Sequence, residues 1–156
     1  MIAAAPPAVG RTVRVARVIA APPAKLYALW TDPSAVKQWW GKTEGVRLIA
    51  CEIDAAPGGA FLYAMRGASE DRHEIAIGTF LEVDAPSRLV MNWSCEARQV
   101  KDTRVTVEFT DLCDGSSRVT VVHERLPTPT EAAIHQSGWS DALQDLAMAV
   151  AEPAEA

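Results

Sequence analysis

The segment from Pro129 to Ala151 is the strongest constraint on how this chain can fold. Trp139, Leu143, Leu146 and Val150 recur in it at steps of four, three and four, which is one face of an α-helix. Thr128 is placed to cap that helix, Pro129 suits its first position, and Glu131, three residues after the cap, completes a capping-box pattern. At 1.5 Å per residue the helix would run roughly 35 Å, enough to cross a small domain. A single long amphipathic helix needs an apolar surface to lie against, and the chain ahead of it supplies strands. If that sheet curls around the helix, the space between them is a natural ligand cavity.

The pattern ahead of the helix changes twice. Residues 12–19 read as a strand, with Val13 and Val15 on one side and Arg14 on the other. Pro22-Pro23 then opens a short helix in which Leu26 and Trp30 share a face. Asp32-Pro33 ends it and starts another, aligning Val36 with Trp39 and Trp40. From Gly45 onward the period is two. Residues 46–53 run to the breaker Pro57-Gly58-Gly59, after which Phe61, Tyr63 and Met65 alternate with Ala60, Leu62 and Ala64. Polar residues 67–72 mark a hairpin before a strand at 73–83. Beyond the turn Asp84-Ala85-Pro86-Ser87, one parity carries Leu89, Met91 and Trp93, and then Val105, Val107 and Phe109. After the hairpin signal Asp114-Gly115 it carries Val119, Val121 and His123. The expected order is one strand, two short helices, six strands and a long helix, an α+β fold with an antiparallel sheet. Residues 11–151 are expected to form the domain, residues 1–10 a flexible arm and residues 152–156 a tail.

Charge and composition narrow the partners. The net charge is −5 and no basic run is present to neutralise phosphates, so a nucleic-acid surface is not expected. No apolar stretch approaches the ~20 residues that cross a bilayer. Residues 1–7 lack a charged n-region and a long apolar h-region, so no secretory signal is expected. Cys51, Cys95 and Cys113 form no CxxC and leave an odd thiol, which points to the reducing cytoplasm. The oligomeric state is not fixed by any of this, and a homodimer stays open.

The ordered set of short motifs is more specific than any one of them. It comprises Ala21-Pro22-Pro23, Trp30-Thr31-Asp32-Pro33, Trp39-Trp40-Gly41, Asp54 with Pro57-Gly58-Gly59, and Gly78 with Glu82. Pro86 to Leu89, the strand ending at His123, and Gly138-Trp139-Ser140 with Leu143 complete it. Over residues 11–150 the chain resembles the START-like (helix-grip, SRPBCC) superfamily. Within it the nearest likeness is to bacterial proteins similar to the C-terminal domain of the activator of the heat-shock-protein-90 ATPase. The resemblance implies a helix-grip fold: a curved antiparallel sheet, in the order β-α-α-β6-α, wrapped around a long C-terminal helix. Members of the superfamily bind lipids, sterols, polyketides and plant hormones, and some cyclise or hydrolyse them, so the fold does not supply the substrate. The chain has no room for the separate N-terminal domain of the eukaryotic activator, which argues against chaperone activation here.

Explicit catalytic constellations are missing from the sequence. His73, His123 and His135 have neither HxH nor HExxH spacing, so no metal site is expected. There is no GxSxG, and Ser137 and Ser140 lie on a helix with no evident base. Pro57-Gly58-Gly59 leads into a strand rather than a helix N-terminus and reads as a tight turn, not a phosphate loop. No cofactor is expected. Glu82 and Glu124 fall opposite the apolar parity, toward solvent.

What remains is aromatic and sulfur-bearing. Trp30 and Trp139 read as core packing. Trp39, Trp40, Tyr63, Met65, Met91 and Trp93 occupy the helix-to-strand corner and the inward parity of the strands, where a helix-grip cavity would open. His123 shares the strand face of Val119 and Val121, as a pocket group or as an inward histidine bonded to a backbone carbonyl. His135, four residues before Trp139, shares that residue's helix face and would approach from the opposite wall. These eight residues are the candidate ligand-binding set, and an apolar or amphipathic small molecule is the expected ligand. Two other classes stay open: a cyclase or hydrolase using His123 or Tyr63 as general acid or base, and a chaperone-associated interaction module.

Overall fold

The computed structural model describes residues 11–43, 45–67 and 73–151. The arm at 1–10, the tail at 152–156 and most of the hairpin expected at 67–72 lie outside the described residues. Seven strands, β1 (Arg11–Ile19), β2 (Arg47–Ile53), β3 (Ala60–Arg66), β4 (His73–Asp84), β5 (Arg88–Cys95), β6 (Val100–Asp111) and β7 (Ser117–Leu126), alternate with few helices. Two short helices, α1 (Pro23–Thr31) and α2 (Pro33–Trp39), follow β1, and α3 (Pro129–Ala151) follows β7. The strands form one antiparallel sheet in the order β1-β7-β6-β5-β4-β3-β2. The first strand thus pairs with the last, and α1 and α2 carry the chain from one edge of the sheet to the other.

Register explains why the alternating residues meet. Val13, His123, Val105, Met91 and Phe80 are successive cross-strand partners from β1 through β7, β6 and β5 to β4. A second inward row joins Tyr63, Ala76, Cys95 and Val100. Side chains with the same pleat parity stand on one face, so both rows are buried together. Gly78 on β4 is required by that packing, since a Cβ there would lie 2.0 Å from the Asn92 carbonyl oxygen and 2.7 Å from the Phe61 ring.

Both proline-led helices start where the sequence places them. Asp32 ends α1 and caps α2, its carboxylate accepting the Ser34 N–H at 3.0 Å. Leu26 and Trp30 of α1 and Val36 and Trp39 of α2 are buried. Trp30 stacks on Trp139 of α3 with ring centres 6.3 Å apart. The cap of α3 forms by half. Thr128 Oγ1 accepts the Glu131 N–H at 3.0 Å, but the Glu131 carboxylate turns instead to Arg98, at 2.9 and 3.3 Å. A guanidinium offers two charge-assisted bonds where the backbone offers one neutral donor.

Candidate functional site

A cavity of about 460 Å³ lies between the sheet and α3. Its sheet wall comes from β3, β4 and β5, represented by Met65, Ala76 and Trp93. The opposite wall is a stripe of α3 at helical spacing, Ile134, Gly138, Asp141 and Asp145. One end is closed by the turn after α2, where Trp40, Gly41 and Val46 reach the cavity. Gly41 makes that turn possible. It has φ +83°, and a Cβ would lie 2.3 Å from the Val46 carbonyl oxygen.

Gly138 shows how the space is kept. It sits inside α3, where glycine costs roughly 0.5–1 kcal/mol relative to alanine, yet a Cβ built on it meets no atom within 4 Å. The helix therefore presents a gap where any larger residue would put a side chain. Three indoles line the same cavity. Trp93 and Trp139 meet at 5.2 Å with planes 60° apart, and Trp40 and Trp139 at 5.7 Å with planes 87° apart.

The eight candidate residues divide into two groups. Trp40, Met65, Trp93 and His135 line the cavity. Trp39, Tyr63, Met91 and His123 are buried beside it and do not reach its surface. Trp39 is turned away by its own indole, whose Nε1–H donates to the Leu29 carbonyl at 2.8 Å. Tyr63 stands behind Trp40 and Trp93, at 5.1 and 5.8 Å between ring centres, and burial raises its phenol pKa above the usual value. Met91 is filled in by its register partners Phe80 and Val105. His123 lies in the same row, one strand further on.

The chemistry of His123 follows from its partners. Trp139 Nε1–H donates to His123 Nδ1 at 3.0 Å. An indole nitrogen only donates, so Nδ1 accepts and the proton of the neutral ring is on Nε2. That Nε2–H donates to Thr103 Oγ1 at 2.7 Å, and Thr103 donates in turn to the Trp93 carbonyl at 2.6 Å. Burial, helped by nearby His135, pushes the His123 pKa down to about 3. With both nitrogens engaged and no exposed surface, this ring is poorly placed to exchange a proton with a ligand.

His135 is different. Its Nδ1–H donates to the Glu131 carbonyl at 2.8 Å, which leaves Nε2 as the acceptor, and burial lowers its pKa. Beside it Arg98, from a short 3-10 turn at Glu96–Arg98, bonds Glu74 at 2.8 Å and Glu131 at 2.9 Å. Among the described residues no three His, Cys, Asp or Glu side chains converge as metal ligands.

Among the wall residues outside the candidate set, four are instructive. Trp139 reads as packing because it shares the apolar stripe of α3, but it also borders the cavity. A glycine in the middle of a long helix was the available signal for Gly138. Arg98 and Asp145 carry no local signal. Asp145 is 2% exposed because Thr43 binds it from the turn after α2, through N–H at 2.9 Å and Oγ1 at 2.5 Å to Asp145 Oδ1. Asp145 Oδ2 and Trp93 Nε1 are buried with no hydrogen-bond partner among the described residues.

A curved antiparallel sheet gripping a long C-terminal helix defines the helix-grip, START-like class of protein. Residues 20–151 match the family described as Activator of Hsp90 ATPase homolog 1-like protein, and the chain belongs to that family. Among solved structures it is similar to a protein from Chromobacterium violaceum at 27% identity and TM-score 0.77, covering 92% of this chain and 99% of that one. It is similar in fold to the AHSA1-like protein from Aeromonas hydrophila at 22% identity and TM-score 0.75, covering 90% and 92%. An Hsp90 activator from Plasmodium falciparum has the same fold at 19% identity and TM-score 0.69, covering 92% and 99%. No curated protein matches the sequence. Among the described residues no helix is long and apolar enough to cross a membrane.

Proposed function

We propose that this protein binds an apolar or amphipathic small molecule in the cavity between the sheet and α3, within the domain of residues 11–151. The observation that carries this reading is the unfilled space beside Gly138. The cleft opens to solvent, and its walls are mainly apolar surface that an apolar ligand would cover, removing it from water. Its volume falls in the range of small-molecule sites, and its walls combine apolar surface with a few buried polar groups, as such sites do. Met65 adds an adaptable thioether to the rigid ring faces. Cys51, Cys95 and Cys113 are free thiols, which supports a reducing, cytoplasmic setting.

The test uses a neutral apolar dye, N-phenyl-1-naphthylamine, whose fluorescence rises on leaving water. Wild type should bind it saturably. Gly138→Leu should abolish binding with no loss of melting temperature, because the new side chain enters empty space. Undiminished dye binding by Gly138→Leu would refute the assignment.

A further inference from the structure

We infer that the polar end of the ligand is a cation, an amine or alkylated ammonium, seated against the part of the cavity wall that Trp40, Trp139 and Asp145 line. This rests on the reading of the cavity as a binding site and adds the chemical class of what enters. Thr43 lies three residues beyond Trp40 and bonds Asp145 Oδ1, so Trp40 and Asp145 belong to the same end of the cavity. Asp145 lines the cavity, and its Oδ2 is buried with no hydrogen-bond partner among the described residues. A buried carboxylate oxygen without a donor is unfavourable, and an ammonium N–H or the field of a quaternary ammonium relieves it. The indoles of Trp40 and Trp139, nearly perpendicular at 5.7 Å, form a corner of π-surface on the cavity wall that Asp145 also lines. Such faces attract cations, and more strongly when water is excluded.

The remaining charges on the wall agree in sign. Asp141 lies one helical turn before Asp145 on the same stripe, and no described cation comes within ion-pairing distance of either. Arg98 is the one arginine or lysine on the wall among the described residues. It is occupied by Glu74 and Glu131, so it is not available to a ligand carboxylate or phosphate. His135 spends its Nδ1–H on the Glu131 carbonyl. An anionic head group would therefore meet uncompensated carboxylates, and a neutral one would leave Asp145 Oδ2 as it stands.

The experiment compares octylamine, octan-1-ol and octanoate, three probes with one apolar chain and three head groups, by calorimetric titration of the full chain at neutral pH. Octylamine is expected to bind at least about tenfold more tightly than octan-1-ol, with octanoate weakest. Asp145→Asn should bring octylamine down to the affinity of octan-1-ol while leaving octan-1-ol within about twofold of wild type. Should that variant not fold, Asp141→Asn should reduce octylamine binding alone, by a smaller factor. Equal affinities for the three probes, or octanoate binding tightest, would overturn the cation assignment and leave apolar binding intact. Binding of none of them, and none of the neutral dye, would overturn both.

Discussion

Trp139 Nε1–H is bonded to His123 Nδ1 across 3.0 Å, and this one contact ties the cavity-lining face of α3 to the buried row of β7. It fixes the tautomer of the histidine and holds an indole that lines the cavity. The chain of donors from Trp139 through His123 and Thr103 to the Trp93 carbonyl returns to another wall residue. The pocket wall and the polar core are thus one network, in which Trp93 Nε1 alone has no partner among the described residues.

That network predicts a pH dependence. The His123 pKa falls from 6.5 to about 3 on folding, because burial disfavours the charged ring. The unfolded chain therefore takes up the proton first as pH falls. The stabilisation is complete above about pH 6.5 and is lost toward pH 3, at up to about 1.4 kcal/mol per pH unit. His135, shifted the same way, adds to the slope. His123→Gln should flatten the slope between pH 6 and 4 in urea denaturation. At pH 7 it should cost about 1–3 kcal/mol, by disturbing the pairing of Trp139 and Thr103. An unchanged slope would show that His123 does not titrate in this window.

Gly138→Ala isolates the helix from the cavity. The added methyl meets no neighbour, so the substitution keeps its propensity gain and should stabilise the protein by about 0.5–1 kcal/mol in chemical denaturation. A destabilised variant would mean that the space beside Gly138 is filled in solution by protein rather than left for a ligand.

Much of this architecture was legible, and the reason is periodicity. Alternation in β3, β5, β6 and β7 and the four-three-four spacing in α3 are local signals, and prolines and paired glycines mark the joints. Legibility stops where a residue's role depends on a distant partner. Asp145 looks like a solvated helix carboxylate until Thr43, 102 positions earlier, is seen to bury it. Glu131 looks like half of a capping box until Arg98, 33 positions earlier, takes its carboxylate. The inward parity of Met65, Met91 and Trp93 is visible in the sequence. Which of them packs solid and which borders empty space is decided by where α3 and the turn after α2 cross the sheet.

The thiols should separate by accessibility. Cys113 is exposed, Cys51 is half-buried with its pKa pushed up to about 11 by burial, and Cys95 is buried with its pKa also raised. Thiolate is the reactive form, so a disulfide reagent at pH 8 should label Cys113 rapidly and Cys51 slowly. Cys95, buried but on the cavity wall, should react more slowly than Cys113. Rapid modification of two thiols, read by mass spectrometry, would contradict this order.

Met91 gives the sharpest contrast with Gly138, because both border the same region and only one borders space. Met91 is 2% exposed, and its cross-strand partners Phe80 and Val105 are equally buried. A larger side chain there has nowhere to go without moving strands. Met91→Trp should therefore cost about 1–3 kcal/mol, the usual penalty of overpacking. For a chain of this size that is roughly 2–4 °C in melting temperature per kcal/mol. Dye affinity at a temperature where the variant is folded should change much less than it does for Gly138→Leu. If Met91→Trp instead blocked the dye and left the melting temperature unchanged, the cavity would extend beneath Trp93 to the middle of the sheet.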